Sequence, residues 1–536
     1  MMTNHHPRDE VFSADASFMA RAYLENFDDV SQWYAGPYQT LDQLVERGES
    51  LLLESTYSGL ERNRLSRKLS TYMRSLGAPQ AALDNATLLA SRDVFAIVTG
   101  QQPGLAGGPL MLVHKVAHAV KLAESLSERG VTCVPIFWAA SEDHDIDEVN
   151  VFNALNRKGK LVTKRIKSLG SGTIVPLEKI KLPPVDDPQV AALLEMIPEG
   201  EHRDHAESLF RESFDCGFGQ ALNRLLLRLF GERGLVVLEP RLLRDLDGHK
   251  RVIEAEIRSA TAHQQALRAR LEEISLAGFS APLSESPYAN FFYMSRGKRR
   301  HALPQSGGFT IDDEKGARKR ADMLSELSTH PDRFSPGVRL RPVVQGACLP
   351  VLAYIGGPGE IAYHSVLKPI FESCNVPMPL LIPRWSFVCA EDEADAEHFA
   401  QMREEIRTAR EGSRQSCAAI SETLNESRLL VSEMEKELGF LRTSLAKPVQ
   451  RISQGLEKSL SELRGRASSS PLDQESVSEI TRERGPLLFP SLQPQERTLN
   501  WLALWPQWRD TLNQAWLERN AMDFSVQTLI RPLQAV

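Results

Sequence analysis

The chain has 536 residues, of which 42% are hydrophobic and 25% charged, and its formal net charge is −7. This length predicts several domains with ample core, and the negative balance gives no nucleic-acid-binding signature. No apolar run reaches the ~18 residues that a transmembrane helix needs. The polar, acidic start also lacks the apolar segment of a secretory signal. We therefore expect a cytoplasmic protein with no nucleic-acid or membrane partner.

The cysteines are scattered, and no two of them form a CxxC pair. That pattern predicts neither a structural zinc site nor a disulfide framework, and it favours a reducing compartment. The six residues are Cys133, Cys216, Cys348, Cys374, Cys389 and Cys417.

The stretch 94–150 has the pattern of a βαβ unit. An apolar, β-branched run at 94–98 is typical of a buried strand, and a loop rich in Gly and Pro follows it. Residues 110–129 carry apolar side chains at helical spacing, and residues 131–140 form a second apolar run. The order strand, Gly-rich loop, helix, strand predicts a right-handed crossover.

The same pattern returns at 335–390, with an apolar run, the loop Gly356-Gly357-Pro358-Gly359, a helix and another strand. We predict that both stretches belong to one mainly parallel sheet, with both Gly loops at its carboxyl edge, where such sheets bind ligands. Between them, residues 151–334 predict inserted connecting segments of hairpins and helices with some core strands.

The two ends of the chain are predicted to be helical. Residues 1–93 show helical spacing and are expected to pack on the core. Residues 391–470 carry narrow apolar stripes, which predict a long helical coiled coil that dimerises the protein. Residues 471–536 are expected to return to the core as helices, with Trp501, Trp505, Trp508 and Trp516 packing on the body.

The Gly loops could bind a small anion. Neither has the Walker A or GxGxxG pattern, but backbone N–H groups at a helix N-terminus can hold a phosphate or a carboxylate. The alternative is a tight turn without a ligand. Gly104→Val is expected to weaken ligand binding without unfolding the protein, because a side chain would block backbone approach. Lys115 would either pair with the anion or extend along the surface.

An acidic cluster ends the strand at 131–140. Its members could bind a divalent metal or supply acid–base groups, or they could form a solvated turn with a helix cap. His144 is the sharpest candidate, since a histidine beside carboxylates can be tuned near neutral pH. His114 and His118 have the spacing of a helical metal pair, although a partly buried helix face is favoured. The cluster consists of Glu142, Asp143, His144, Asp145, Asp147 and Glu148.

Several motifs together resemble the family of cysteine ligases of bacillithiol biosynthesis, the BshC family. They run in order from Thr99 to near the C-terminus. They are TGQQPGLAGGP followed by His114-Lys115, then FWAASEDHDIDEVN, LRPVVQ, AYIGGPGEIAYHSVLKPIFE, Pro383-Arg384 and Gln495-Glu496-Arg497.

The resemblance implies an α/β fold with a Rossmann-like parallel-sheet core, inserted connecting subdomains and a long C-terminal coiled coil that forms a homodimer. It further implies an amide-forming ligase that adds L-cysteine to glucosaminyl-malate in the final step of bacillithiol biosynthesis, with ATP and magnesium as the expected cofactor. Two other readings stay open. One is a metal-dependent nucleotidyl or glycosyl transferase, and the other is a non-catalytic nucleotide-binding coiled-coil scaffold.

The family motifs define the candidate site. The expected catalytic residues are His144, Asp143, Glu142 and Asp145. The expected substrate- or nucleotide-binding residues are Thr99, Gly100, Gln101, Gln102, Gly104, Lys115, Gly356, Gly357, Gly359, Glu360 and Tyr363. No metal ligand is predicted.

Overall fold

The computed structural model describes residues 18–54, 59–156, 158–170, 174–279, 282–283, 285–395, 397–399, 401–406, 408, 478 and 487–530. The chain divides into two compact units, of which the first comprises Met1–Asp392 and Gln495–Val536 and the second Glu393–Pro494. The apolar stripes of the predicted coiled coil lie outside the described residues.

The described α-helices follow one another along the chain as the periodicity predicts. They are α1 (Phe18–Glu25), α2 (Leu41–Glu54), α3 (Gly59–Ser75), α4 (Gln80–Leu88), α5 (Leu110–Ser127), α6 (Ile146–Val149), α7 (Pro188–Leu194), α8 (Arg203–Glu212), α9 (Phe218–Phe230), α10 (Asp247–Leu276), α11 (Arg320–Thr329), α12 (Arg341–Cys348), α13 (Pro358–His364), α14 (Lys368–Ser373), α15 (Gln495–Thr498) and α16 (Trp501–Glu518).

The described strands form a central five-stranded sheet, a second five-stranded sheet and two sheets of two strands each. They are β1 (Phe95–Gln101), β2 (Cys133–Ala139), β3 (Phe152–Leu155), β4 (Leu161–Lys164), β5 (Val236–Leu238), β6 (Phe291–Ser295), β7 (Lys298–Gln305), β8 (Gly308–Ile311), β9 (Ala317–Lys319), β10 (Phe334–Pro336), β11 (Val351–Gly356), β12 (Leu380–Pro383), β13 (Ser386–Ala390) and β14 (Val526–Ile530).

The central sheet has the order β12-β11-β1-β2-β5, and all its pairs are parallel. Strands β2 and β5 lie on one side of β1, and β11 and β12 lie on the other. The topological switch point therefore falls between β1 and β11. In register, Thr99 pairs with Ile355 and Gly100 with Trp138. The prediction of one parallel sheet with both Gly loops at the same edge is confirmed.

Helix α5 is buried nearly all round. A helix without a polar face belongs in a protein core, and α5 lies between the central sheet and the C-terminal segment. His114, Lys115 and His118 are all buried on it, which a single amphipathic stripe would not have indicated.

The inserted segments are richer in strands than the sequence suggested. The predicted hairpins of residues 151–334 include the antiparallel pair of β3 and β4. Strands β6 to β9 of the same segment form, together with β10, a five-stranded antiparallel sheet of order β10-β6-β7-β8-β9. This sheet brings β7, which carries Arg299, close to the carboxyl end of β2.

The C-terminal segment packs on the body as predicted. Helix α16 buries its four tryptophans, and Asn500 caps it by accepting a hydrogen bond from Leu502 N. The sequence did not predict the parallel pair of β13 and β14. None of the described helices is long and apolar enough to cross a membrane. The five cysteines within the described ranges are buried and form no disulfide.

Candidate active site

A cleft of about 410 Å³ lies at the carboxyl edge of the central sheet, over the switch point between β1 and β11. Its walls carry four cationic side chains and two carboxylates beside neutral and aromatic groups. The lining residues are Gly100, Gln101, Gln102, Met111, Lys115, Trp138, Ala140, Asp143, Val338, Arg341, Pro342, Gln345, Tyr354, Gly357, Pro358, Gly359, Glu360, Tyr363, Arg384 and Arg497.

Lys115 is a buried connector at the floor of this cleft. Its Nζ donates to Gly100 O and to Gln101 Oε1, each at 3.1 Å, and to the carboxylate of Glu360. An ammonium group has three donors, so all of them are in use. Burial lowers the pKa of Lys115, and the Glu360 carboxylate opposes that shift. Lys115 therefore joins the two halves of the sheet and has no donor left for a ligand.

Glu360 fills the second Gly loop from inside. One carboxylate oxygen accepts from Gly357 N at 2.7 Å and the other from Tyr354 Oη at 2.6 Å. Burial alone would raise the pKa of Glu360, but Lys115 lowers it, so the carboxylate stays ionised. The N–H of Gly357, which the sequence suggested as a donor to a bound anion, therefore donates to the protein's own Glu360 carboxylate.

The first Gly loop lines the cleft only at its start, and from Gly104 onward it packs on itself and on the C-terminal segment. A Cβ on Gly104 would lie 2.6 Å from Gly108 Cα, and one on Gly107 would lie 2.1 Å from Trp501 Nε1. The first N–H of α5, that of Leu110, donates to Leu499 O at 3.0 Å. Gly104→Val would therefore disturb the fold itself, contrary to the expectation of a ligand-specific effect.

The acidic cluster is divided among three environments. Glu142 is fully buried opposite Arg341, whose Nε lies 3.1 Å from Oε1, and burial raises its pKa. Asp143 lines the cleft and accepts from Gln102 Nε2 at 2.9 Å. Asp145 caps α6 by accepting from Glu148 N at 3.1 Å.

Asp143 is held in its ionised form. Burial would raise its pKa, but the guanidinium groups of Arg341 and Arg299 lower it. Arg299 Nη1 lies 3.5 Å from Asp143 Oδ1, and Arg341 Nη2 lies 3.9 Å from Oδ2. An ionised carboxylate that reaches the cleft can hold an ammonium group of a ligand.

His144 lies behind Asp143, and it is not among the cleft-lining residues. Arg299 Nη1 lies 3.4 Å from its Nδ1, and the ring packs edge-on to Phe292. A guanidinium only donates, so Nδ1 accepts and the proton of the neutral ring is on Nε2. Burial and then Arg299 lower the pKa of His144. Its role as acid or base stays a prediction.

The remaining predicted residues have mixed positions. Thr99 Oγ1 donates to Ile355 O at 2.9 Å and joins β1 to β11 without reaching the cleft. Gly356 lies close to the Glu360 side chain, since a Cβ there would be 3.1 Å from Glu360 Cβ. The predicted residues that line the cleft are Gly100, Gln101, Gln102, Lys115, Asp143, Gly357, Gly359, Glu360 and Tyr363.

Three arginines of the cleft were missed as site residues. Arg341 is on α12, Arg384 follows β12, and Arg497 is on α15. Arg384 is nearly buried and forms two hydrogen bonds with Glu496, one of them 2.8 Å from Nη1 to Oε2. Arg384 holds the pKa of Glu496 below its usual range, against the effect of burial. These arginines belong to the motifs LRPVVQ, Pro383-Arg384 and Gln495-Glu496-Arg497 that carry the family resemblance, but the sequence did not indicate a role for them.

The two histidines of α5, His114 and His118, form hydrogen bonds that hold the fold together. His114 Nδ1 accepts from Trp516 Nε1 at 3.1 Å, and His118 Nε2 donates to Ala521 O at 2.7 Å. Both bonds fasten α5 to the C-terminal segment. Within the described ranges, the one group with metal-like clustering of acidic and histidine side chains is Glu201, His202 and Asp510, and none of the three lines the cleft.

The family model described as "Bacillithiol biosynthesis BshC, N-terminal Rossmann-like domain" matches residues 8–385. A Koribacter versatilis protein named "Putative cysteine ligase BshC" is 31% identical over 76% of this chain and 75% of its own. A protein of the same name from Heliobacterium modesticaldum is 27% identical over 82% of this chain and 81% of its own. A solved structure from Campylobacter jejuni is titled "putative arginyl t-RNA synthetase". Its match covers 86% of this chain and 98% of its own at 10% identity, but the TM-score of 0.18 supports no structural relationship. By the family model and the curated relatives, the chain belongs to the BshC family of bacillithiol biosynthesis.

Proposed function

We propose that this chain catalyses the final step of bacillithiol biosynthesis, in which L-cysteine is added to glucosaminyl-malate through an amide bond. The observation that carries the proposal is the cleft at the switch point, whose lining combines Lys115, Arg341, Arg384 and Arg497 with two carboxylates. Such a lining suits a small ligand that carries several carboxylates and an amine. Family membership supports the pathway.

The arginine wall would hold the anionic parts of the substrates. Guanidinium groups bind carboxylates and phosphates through paired hydrogen bonds. Arg384 is already oriented by Glu496, and Arg497 follows Glu496 directly in α15. We assign the malyl carboxylates of glucosaminyl-malate to Arg384 and Arg497, because both line the cleft and Glu496 orients the first and directly precedes the second.

Asp143 would serve the amine. Its carboxylate is ionised and oriented by Gln102, whose Nε2 also donates to Glu148 at 3.0 Å. In the reaction the sugar nitrogen attacks the cysteine carbonyl carbon, the new C–N bond forms, one carboxyl oxygen leaves with its activating group, and the amine loses a proton. Asp143 is the cleft carboxylate we assign to that proton, since the oxygens of Glu360 are engaged with Lys115, Tyr354 and Gly357.

ATP with magnesium is the proposed activator, and it would supply the leaving group for the carboxyl oxygen. The cleft fits phosphate through its side chains rather than its Gly loops, because Lys115 and Gly357 already donate to internal acceptors. Arg341 is the residue we assign to the phosphate oxygens, and magnesium would enter with the nucleotide.

The proposal includes a homodimer formed through residues 391–470. It is based on apolar stripes that lie outside the described residues. Leu456→Glu together with Leu460→Glu should then give a monomer in sedimentation, because each buried unpaired charge costs several kcal/mol. A wild-type protein that is itself monomeric at micromolar concentration would contradict this part of the proposal.

The reaction can be tested directly with the full-length protein. L-cysteine, glucosaminyl-malate, ATP and magnesium are incubated with it, and products are measured by mass spectrometry. We expect a product with the summed mass of both substrates less one water, and Asp143→Asn should reduce its rate. Nucleotidyl or glycosyl transfer without cysteine incorporation would instead identify a transferase, and nucleotide binding without turnover would identify a scaffold.

A further inference from the structure

A second group of chemically competent side chains lies outside the cleft, where α10 contacts α14. Glu256 and His263 are both on α10, and Ser373 is the last residue of α14. His263 Nε2 lies 2.7 Å from Ser373 Oγ, and His263 Nδ1 is hydrogen-bonded to Glu256 Oε2. The three groups have the connectivity of a serine nucleophile, its base and an orienting carboxylate.

The hydrogen-bond chemistry fixes the direction of this chain of bonds. A carboxylate only accepts, so His263 Nδ1 must donate to Glu256. In the neutral ring the other nitrogen, Nε2, then carries a lone pair and accepts the proton of Ser373 Oγ–H. The base is therefore in the tautomer that can remove a proton from the serine.

Glu256 is itself held rigidly. Its second oxygen accepts from Asn290 N at 2.8 Å and from Asn290 Nδ2 at 3.1 Å. Together with the bond to His263 on the same helix, these contacts from the residue before β6 fix the carboxylate. The imidazole is thus oriented by a group that cannot easily turn away.

The three side chains differ in their exposure to solvent. Glu256 and His263 are only 0% and 2% exposed, whereas Ser373 is exposed. The base and its partner are shielded from water, and the nucleophile can be reached by an external molecule. A serine that served only to satisfy a buried histidine would not need that exposure.

We propose that Ser373 is an activated nucleophile that takes up acyl or phosphonyl groups from reactive esters, independently of the ligase reaction. Ser373 Oγ attacks the carbonyl carbon or the phosphorus, and His263 Nε2 takes the hydroxyl proton. The bond to the leaving group breaks, and the leaving group departs with the electron pair and is protonated from His263. The result is a covalent ester on Ser373.

The surroundings of Ser373 set the expected rate. The backbone N–H groups of Cys374, Asn375 and Val376 donate to Ile370 O, Glu372 O and Phe371 O, each at 3.0 Å. None of these donors is aimed at a developing oxyanion, and loss of one such donor costs about 10²- to 10³-fold in rate. The site should therefore be modified once and slowly rather than turn over as a hydrolase.

An alkyl fluorophosphonate is a suitable probe, because its P–F bond breaks when a serine oxygen attacks and fluoride leaves. Full-length protein is incubated with it, and the modified peptide is mapped by mass spectrometry. We expect labelling at Ser373, no labelling there in Ser373→Ala, and a rate about 100-fold lower in His263→Gln and Glu256→Gln. Ser328 is a matched control, since it is exposed but its Oγ donates only to Leu324 O at 3.2 Å.

Labelling of the wild-type protein decides the main point without any variant. No adduct on Ser373, or one no faster than on Ser328, would overturn the proposal and leave His263 as a bridge between two helices. Equal labelling in a His263→Gln protein that keeps the wild-type melting temperature would also overturn it. Because Ser373 is not among the residues that line the cleft, failure here does not affect the proposed ligase reaction, which has its own product assay.

Discussion

The buried Lys115 on α5 and the partly exposed Glu360 on α13 form an ion pair that joins the two halves of the central sheet at the switch point. The two residues are 245 positions apart in the chain. Each belongs to one of the two Gly loop–helix units. Lys115 donates to Gly100 O beside the first loop, and Glu360 accepts from Gly357 N in the second. The floor of the cleft is thus an internal salt bridge, and external anions have to bind at the arginines around it.

Lys115→Met should destabilise the protein by about 1–3 kcal/mol, because it leaves the largely buried Glu360 carboxylate without its cation. Adding Glu360→Gln should restore part of that loss, since no unpaired charge then remains. Urea unfolding of the single and double variants measures both effects. Lys121→Met on the same helix, where Nζ is exposed, is the control, and additive losses in the double variant would argue against the coupling.

Gly104→Ala should lower the free energy of unfolding by about 1–3 kcal/mol. The new Cβ would lie 2.6 Å from Gly108 Cα, which is backbone and cannot turn aside. Gly359→Ala is the control, because Gly359 lies in the first turn of α13 and no atom lies within 4 Å of its Cβ position. Thermal unfolding of both variants tests this, and equal melting temperatures would show that the first loop adapts.

The local parts of this fold could be read from the sequence. β-Branched runs and helical spacing identified β1, α5 and β2 because those signals extend over neighbouring residues. The pairing of β13 with β14 was missed because two five-residue strands joined in parallel carry no local sign of their partner. The cap by Asp145 agrees with the alternative of a solvated turn with a helix cap, although the sequence did not indicate which residue is the cap.

The site could be located from the sequence but not resolved into roles. The Gly loops and the acidic strand end indicated the correct edge of the sheet. Whether a charge faces a ligand or an internal partner depends on residues far away in the chain, such as Arg341 for Glu142 and Glu496 for Arg384. A lysine in a helix normally indicates a solvated face, and Lys115 is 1% exposed.

Arg497→Met should raise the KM for glucosaminyl-malate by about 10- to 100-fold, with a smaller change in kcat. A hydrogen bond to a charged group contributes about 1.5–3 kcal/mol, and uniform binding energy appears in KM. Arg509→Met is the control, because Arg509 pairs with Asp510 on α16 and does not line the cleft. An unchanged KM in a folded Arg497→Met protein would remove the malyl assignment.

Acid should destabilise this protein through His118, whose ring is buried. Burial lowers the pKa of His118 from 6.5 to about 3 in the folded state. Above pH 6.5 the ring is neutral in both states and has no effect on stability. Below that value His118 is protonated in the unfolded chain but stays neutral in the folded one. The free energy of unfolding therefore falls until the pH reaches about 3.

Between about pH 7 and about pH 5, this single histidine should cost about 2 kcal/mol of unfolding free energy. His118→Gln keeps a donor for Ala521 O but cannot titrate, so its stability should depend less on pH by about that amount. Urea unfolding at both pH values measures the difference, with the exposed His330→Gln as control. An identical pH dependence in wild type and His118→Gln would mean that His118 can be protonated in place. Its stacking on Trp385 and its bond to the C-terminal segment would then not exclude water from the ring.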